Sequence, residues 1–162
     1  MPNIQNETIK TGKTKDQSMS VMTELVLPND GNLLGNLLGG RLLHWIDIAG
    51  ALAASRHSGS VVATIHMDQV VFKRPIRVGN IAELRSYVTW TGRTSIETAV
   101  ETYAEDALTG ERQFVGKVYL VFVALDSNGM KKNTPPLIPK SDEERREWDS
   151  AVLRQEKRAG KI

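Results

Sequence analysis

Cysteine is absent from the 162-residue chain. Its absence excludes disulfide bonds, thiolate nucleophiles and cysteine-ligated metal centres. The three histidines are scattered without the spacing of metal ligands, and we therefore predict no metal site. They are His44, His57 and His66.

Long apolar runs are lacking as well. No stretch approaches the roughly 18 apolar residues that a membrane-spanning helix requires. Residues 1–20 are polar and contain no apolar segment typical of a signal peptide. From these absences we expect a cytoplasmic protein with no membrane span.

A strong charge of either sign is also missing. The formal net charge is +2, which is too small to predict a nucleic-acid partner. The slight excess of cations would suit an anionic small molecule equally well. With 40% hydrophobic and 25% charged residues, the chain has the composition of one globular domain that can bury a core.

What is present, over residues 27–55, is a glycine-rich loop followed by a long and mostly apolar helix. The loop ends at Gly39 and Gly40, and a helical period follows from Arg41. One carboxylate, Asp47, falls at the edge of the apolar face of this helix. An ionised carboxylate is costly to bury unless it is hydrogen-bonded or close to positive charge. Asp47 is therefore either solvated or functional.

Five segments have the alternation or the β-branched content of strands. They cover residues 19–27, 61–72, 81–90, 95–103 and 114–125. The last four follow one another at hairpin spacing, which predicts an antiparallel sheet. The alternation shifts around residues 66–68, which indicates a bulge or bend. Because the strands are long and few, we predict an α+β fold in which a strongly curved sheet wraps the helix.

The composition divides the chain into three parts. We predict a flexible polar tail over residues 1–18, a folded domain over 19–126, and a proline-containing connector with a polar helix over 127–162. Ser141 and Glu144 form a capping-box pattern that opens this last helix. Its few apolar anchors are Trp148, Val152 and Leu153. We therefore expect the helix to dock weakly.

A series of short motifs resembles the acyl-CoA thioesterases of the hot-dog fold. The first is Asn32-x-x-Gly35-x-x-x-Gly39-Gly40, followed by Leu43, Asp47 and Ala49-Gly50. The similarity continues through Arg56-His57, Val71-Phe72-Lys73-Arg74-Pro75-Ile76, Gly79, Thr94-Ser95 and Val121-Phe122-Val123-Ala124-Leu125-Asp126. It covers roughly residues 27–126. The pattern is most similar to the branch of brain-type cytosolic acyl-CoA hydrolases and their single-domain bacterial relatives.

The resemblance implies a hot-dog fold, in which a curved antiparallel sheet wraps a long central helix, in agreement with the periodicity. It implies hydrolysis of the acyl-CoA thioester to a carboxylic acid and CoA, with no cofactor apart from the coenzyme A of the substrate. Family members pair two units with acyl-CoA at their boundary, and they commonly form hexamers as trimers of dimers. We therefore expect a homodimer with composite sites, assembled further into a hexamer.

The resemblance also implies roles for individual residues. It makes Asp47 the general base or the nucleophile, and Asn32 of the neighbouring unit the residue that orients water or substrate. On physical grounds, the backbone N–H groups of Gly39 and Gly40 at a helix start suit an oxyanion hole. Without the family, the glycines would more often form a turn, Asn32 a cap and Asp47 a structural carboxylate.

Cations in three regions are candidates for binding the phosphates of CoA. Two of the regions match family segments near the nucleotide, and their residues are Arg93, Thr94, Ser95, Lys131 and Lys132. The third, Lys73 and Arg74, has no such match. Surface cations without a ligand are the competing interpretation for all three regions.

Two other functions are compatible with the same fold. A hot-dog regulator would bind acyl-CoA without cleaving it, but residues 1–18 are too short and polar for an attached helix-turn-helix, and the acidic Asp47 favours catalysis. A hydratase is the third possibility, although His44 and His66 do not form a convincing hydratase signature. The release of a thiol from acyl-CoA discriminates among these alternatives.

Overall fold

The computed structural model describes residues 11–162. Its strands and helices are β1 (Ser20–Leu25), α1 (Gly39–Ser58), β2 (Val61–Met67), β3 (Ile81–Thr91), β4 (Ser95–Glu105), β5 (Arg112–Leu125) and α2 (Asp142–Arg158). The strands form one antiparallel sheet in the order β1-β3-β4-β5-β2. In this part of the chain, no helix has the length and apolar character needed to cross a membrane.

Helix α1 is the centre of the hydrophobic core and packs against all five strands. A single helix can contact every strand only if the sheet curves around it. Ile46, Ala49 and Ala53 are fully buried on its inner face. A Cβ atom at Gly50 would lie 2.9 Å from the Thr98 hydroxyl and 3.1 Å from the Phe122 ring, so glycine allows this close approach. The predicted curved sheet around a central helix is confirmed.

Strand β2 is shorter than the predicted segment 61–72. It ends at Met67, with a register shift between Thr64 and His66, next to the shift in alternation at residues 66–68. Beyond Met67 the backbone continues beside β5, where the Asp68 N–H donates to Tyr119 O and the Lys73 N–H to Val115 O, both at 2.9 Å. A Cβ atom at Gly116 would lie only 2.8 Å from the Val71 carbonyl oxygen, so this segment is in direct contact with β5.

The N-terminal segment is ordered as far back as the structure describes it. The predicted flexible tail covers residues 1–18, of which 1–10 lie outside the described residues. In the remainder, Lys13 forms a β-bridge with Leu137, and its ammonium donates to the Arg56 carbonyl oxygen at 3.0 Å. Ser18 is fully buried. Residues 11–18 therefore pack onto the connector and the end of α1, and the folded domain begins before residue 19.

Helix α2 docks through charged residues more than through the predicted apolar anchors. Trp148 packs against Trp90 with ring centroids 6.2 Å apart, but Leu153 is 57% exposed. The main anchor is Glu97 on β4, which is fully buried and accepts hydrogen bonds from Arg154 at 2.8 Å and Arg158 at 2.9 Å. The expectation of weak docking, based on apolar residues alone, overlooked this buried ion cluster.

His57, in the last turn of α1, joins the helix to the connector. It is fully buried, and its Nε2 lies 2.8 Å from the carbonyl oxygen of Pro135. Burial lowers the pKa of His57 below its ordinary value of 6.5, because the charged imidazolium would lose its hydration. The neutral ring therefore donates its Nε2 proton to Pro135.

We expect this histidine to make the folded state sensitive to mild acid. Because the unfolded chain takes up the proton more readily, the stabilisation from His57 is complete above about pH 6.5 and is lost as the pH falls below it. Replacing His57→Gln keeps an N–H donor without a titratable ring and should reduce the loss of stability that the wild-type protein shows below about pH 6.5. Chemical denaturation across this pH range measures the effect.

The exposed His44 provides the matched control. His44→Gln should follow the wild-type pH profile, since His44 is exposed at the surface of α1. An unaltered profile in His57→Gln would show that His57 does not cause the acid sensitivity.

Candidate active site

The loop before α1 is fastened to the start of the helix by Asp30. Its carboxylate accepts a hydrogen bond from the Leu27 backbone N–H at 3.0 Å and pairs with Arg41 Nε at 3.3 Å. The Asp30 carbonyl oxygen accepts the Leu38 N–H at 2.9 Å. Asp30 is only 8% exposed. These bonds hold residues 31–38 in a defined position beside the first turn of α1.

Asn32 lies within this loop and uses its side-chain carbonyl oxygen to shape it. Oδ1 accepts the backbone N–H groups of Leu34 at 2.9 Å and Asn36 at 3.1 Å. Between them, Gly35 has a φ of +75°, which glycine adopts at no steric cost. Only the amide oxygen can accept two N–H groups, which fixes the orientation of the amide. Among residues 11–162, hydrogen bonds form only at the Oδ1 atom of this side chain, so the NH₂ group of Asn32 can donate to a ligand.

Gly39 and Gly40 form the first turn of α1. The N-cap residue, Leu38, makes no side-chain capping hydrogen bond, so the first N–H groups of the helix keep their capacity to donate. Both glycines are exposed, and a Cβ atom at either position would meet nothing within 4 Å. Packing inside this chain does not require glycine at positions 39 and 40.

Asp47 lies in the middle of α1 and is half-buried. The hydroxyl of Thr64 on β2 donates a hydrogen bond to Asp47 Oδ1 at 2.7 Å. The carboxylate is therefore held against the sheet rather than freely solvated. The sequence did not indicate Thr64, because a single threonine in a strand carries no pattern and its contact with Asp47 depends on tertiary packing.

The structure separates the predicted catalytic residues into two groups. Asn32 and Gly39 line one open groove of about 310 Å³, and Asp47 pairs with Thr64 further along α1. Asp47 lies eight helical steps beyond Gly39, which corresponds to about 12 Å along the axis. Within one chain, these two groups of predicted catalytic residues are therefore too far apart to contact one carbonyl group together.

The predicted nucleotide-binding residues come together at the opposite end of the sheet. Backbone hydrogen bonds connect Arg93 O to Thr134 N at 2.9 Å, Thr94 O to Ala124 N at 2.9 Å, and Ala124 O to Lys132 N at 2.8 Å. The turn containing Thr94 and Ser95 thus lies beside the segment of Lys131 and Lys132. In residues 11–162, no group of three or more acidic or histidine side chains is arranged to hold a metal ion.

Comparison with known proteins decides the family. A profile of the thioesterase superfamily matches residues 34–111. YkhA of Bacillus subtilis (strain 168), an "uncharacterized acyl-CoA thioester hydrolase", is 39% identical over 88% of this chain and 83% of its own length. This chain belongs to the thioesterase superfamily.

The predicted branch of the family is confirmed as well. The cytosolic acyl coenzyme A thioester hydrolase of Homo sapiens is 30% identical over 76% of this thioesterase and 34% of its own length. With YkhA, it places the chain among the acyl-CoA thioester hydrolases.

Solved structures confirm the hot-dog fold of this thioesterase. An apo-hexameric acyl-CoA thioesterase superimposes with a TM-score of 0.88 at 39% identity, over 93% of this chain and 97% of its own. The acyl-CoA hydrolase of Staphylococcus aureus, in complex with butyryl coenzyme A, coenzyme A and coenzyme A disulfide, gives a TM-score of 0.84 at 32% identity. That match covers 92% of this chain and 91% of the S. aureus chain.

Alanine variants of the S. aureus hydrolase have also been solved. They replace an aspartate, an asparagine in a complex with coenzyme A, and a threonine. Their TM-scores against this thioesterase are 0.86, 0.87 and 0.84.

We expect the Asn32 carbonyl oxygen, and not its NH₂ group, to order the loop. Asn32→Asp keeps an oxygen acceptor for the Leu34 and Asn36 amides, whereas Asn32→Ala removes it. Hydrogen exchange at these two amides should stay slow in the aspartate variant and accelerate about tenfold in the alanine variant, as expected for the loss of one loop hydrogen bond. Equal exchange rates in the two variants would contradict this assignment.

Proposed function

We propose that this thioesterase hydrolyses acyl-CoA at a composite site, in which Asp47 and Thr64 of one subunit face Asn32, Gly39 and Gly40 of its partner. The observation that carries the proposal is the separation of these residues into two half-sites within one chain. Each half-site supplies part of what thioester hydrolysis requires: one a carboxylate, the other hydrogen-bond donors for the carbonyl group.

The S. aureus variants support this assignment of residues. The aspartate, asparagine and threonine replaced in that hydrolase have the same separations along its sequence as Asp47, Asn32 and Thr64 have here. The match in both residue type and spacing supports all three as members of one site, although only two of them were indicated by the sequence.

The carboxylate half-site activates the attacking group. Thr64 donates to Oδ1 of Asp47 and so leaves Oδ2 available. As a general base, Oδ2 takes a proton from water while the water oxygen attacks the thioester carbon; the C–S bond then breaks, and the CoA thiolate takes up the proton from Asp47. As a nucleophile, Oδ2 attacks that carbon directly, the C–S bond breaks and CoA leaves as a thiolate that is protonated by solvent; water then hydrolyses the resulting anhydride and restores the carboxylate. The Thr64 hydroxyl positions the carboxylate on either route.

The donor half-site stabilises the oxyanion that forms in the transition state. The N–H groups of Gly39 and Gly40 and the NH₂ group of Asn32 can all donate to the thioester oxygen. The absence of Cβ atoms at positions 39 and 40 allows the thioester to approach the backbone closely. Because Gly39 lies about 12 Å from Asp47 of its own chain, these donors act with the partner's carboxylate.

The proposal also includes the nucleotide-binding surface, the oligomeric state and the cellular location. Arg93, Thr94, Ser95, Lys131 and Lys132 form one surface at the end of β5 that suits the nucleotide of CoA. A homodimer contains two composite sites related by symmetry, and the apo-hexameric relative supports a trimer of dimers. The cytosolic human relative supports a cytoplasmic location.

Removing the negative charge of Asp47 should abolish most of the activity. We expect Asp47→Asn to lower kcat for butyryl-CoA by about 10²–10⁴, the range of general acid–base catalysis, and Thr64→Val to lower it by about tenfold through the loss of one hydrogen bond. Thiol release measured with a chromogenic reagent gives both values. Asp149→Asn, at an exposed position on α2, is the control.

A catalytic rate of Asp47→Asn equal to that of the control would exclude Asp47 from the chemistry. Binding of butyryl-CoA without thiol release by the wild-type protein would instead support the non-hydrolytic regulator.

Complementation between subunits should reveal the composite site. Asn32→Asp and Asp47→Asn are each expected to be nearly inactive alone. After subunit exchange, a mixed dimer has one site with both substitutions and one site with neither, so an equal mixture should recover up to about a quarter of wild-type activity. Mass spectrometry of differently tagged subunits confirms the exchange. If exchange is complete and activity does not recover, Asn32 and Asp47 act within one chain.

A further inference from the structure

Thr64, whose hydroxyl donates to the proposed catalytic carboxylate, lies at a weakly constrained point of the sheet. Within one chain, β2 is an edge strand that pairs with β5. The register shifts between Thr64 and His66, so Ile65 is an extra residue that forms a bulge. A bulge interrupts the hydrogen-bonded ladder, and an edge strand has a ladder on one side. The sheet of one chain alone therefore fixes the position of Thr64 weakly.

The carboxylate of Asp68 holds the segment that follows the bulge. Arg158, the last residue of α2, donates to both of its oxygens, from Nε to Oδ1 at 3.0 Å and from Nη2 to Oδ2 at 2.7 Å. His66 Nε2 lies 2.8 Å from Oδ1. Burial would raise the pKa of Asp68, but its bonds to Arg158 and His66 outweigh burial and hold this pKa below the ordinary value of 3.8. The carboxylate is therefore ionised at neutral pH and binds Arg158 as a charge pair.

Arg158 extends across β5 and connects this segment to the middle of the sheet. Its Nη1 donates to Glu97 Oε2 at 2.9 Å, and Glu97 is fully buried on β4. Glu97 and His66 pair with the same β5 residue, Val121, from its two sides, so the guanidinium joins two strands that lie about 9.5 Å apart. Only 13% of the Arg158 side chain is exposed, so solvent screens these charge pairs less than pairs at the surface. One guanidinium thus fastens the chain beyond the bulge to a buried carboxylate.

Two sets of charged contacts hold α2 on the sheet. The open groove beside Asp68 is lined by three other cations, which are Lys117, Arg154 and Lys157. Lys117 and Arg154 pair with Glu147 of α2 at 3.0 and 3.1 Å, and Arg154 also pairs with Glu97. Lys157 is exposed to solvent. The Glu147 contacts fasten α2 to β5, whereas the pair of Arg158 and Asp68 reaches the segment after β2. The two sets can therefore be broken separately.

We propose that the pair of Arg158 and Asp68 positions Thr64, and through it Asp47, for thioester hydrolysis. The inference rests on the proposed function, which assigns Asp47 to the chemistry. The Thr64 hydroxyl lies 2.7 Å from Asp47 Oδ1, and a hydrogen bond of this kind weakens steeply when its distance or angle changes. A misplacement of about 1 Å can lower a catalytic rate by up to 10². Arg158 and Asp68 are thus positioning residues, and α2 contributes to catalysis although it lies outside the motif-bearing residues 27–126.

Kinetics of Asp68→Asn in the full-length protein test the pair. The substitution keeps the shape of the side chain and removes the charge that binds Arg158, while Arg158 keeps its contact with Glu97, so the fold should be retained. We expect kcat for butyryl-CoA to fall about three- to tenfold, no more than in Thr64→Val, with KM unchanged. Added to Thr64→Val, Asp68→Asn should cause no further loss, because the hydrogen bond that it positions is already missing.

Glu147→Gln is the matched control, because it removes the charge of a carboxylate that fastens α2 to Lys117 and Tyr119 of β5. Its kcat should stay within about twofold of wild type, and its small effect should add to that of Thr64→Val. The proposal is overturned if Asp68→Asn leaves kcat unchanged, or if its loss is equally large in the Thr64→Val background. It is also overturned if Glu147→Gln reproduces the loss, which would indicate a general loosening of α2.

Amide hydrogen exchange tests the positioning without turnover. In Asp68→Asn, the backbone N–H groups of residues 64–66 should exchange about tenfold faster, as expected for the loss of one local restraint. The N–H groups of β4, and residues 64–66 in Glu147→Gln, should keep their wild-type rates. Unchanged exchange at residues 64–66 of Asp68→Asn would contradict the proposal. A wild-type protein that fails to hydrolyse acyl-CoA refutes the proposed function, while the exchange rates still decide whether the pair fixes the bulge.

Discussion

The packing of α1 inside the curved sheet is the constraint on which the rest of the structure depends. Gly50 allows the helix to lie against Thr98 and Phe122, and the surrounding strands then fix its rotation and depth. The same helix carries Gly39 and Gly40 at its start and Asp47 at its middle. Since the rise of a helix is constant, the distance between Gly39 and Asp47 is set by the fold, not by flexible loops.

Local patterns were sufficient to predict the main elements of the fold. The apolar period of α1, the hairpin spacing of the strands and the motif around Asn32 and Asp47 are properties of neighbouring residues, and the sequence displays them directly. Thr64 could not be found in this way. Its bond to Asp47 depends on how β2 pairs with β5 around the register shift, and that pairing is set by tertiary packing.

The docking of α2 likewise depends on contacts that local sequence patterns do not reveal. Its charged sequence suggests a solvated helix, yet Arg154 and Arg158 meet the buried Glu97 and hold α2 on the sheet. Removing one partner from such a buried cluster typically costs about 3–5 kcal/mol, because the remaining charges lose their compensation. The partners lie on β4 and α2, far apart in sequence, so their complementarity becomes visible only after folding.

The proposed composite site has a consequence for gene duplication. With separate identical chains, replacing either Asn32 or Asp47 would remove both proposed sites of a dimer. In a tandem fusion of two copies, one copy can lose its carboxylate and the other its amide while one complete site remains. Duplication would thus release half of the catalytic residues from selection and allow the vacated boundary to acquire another role.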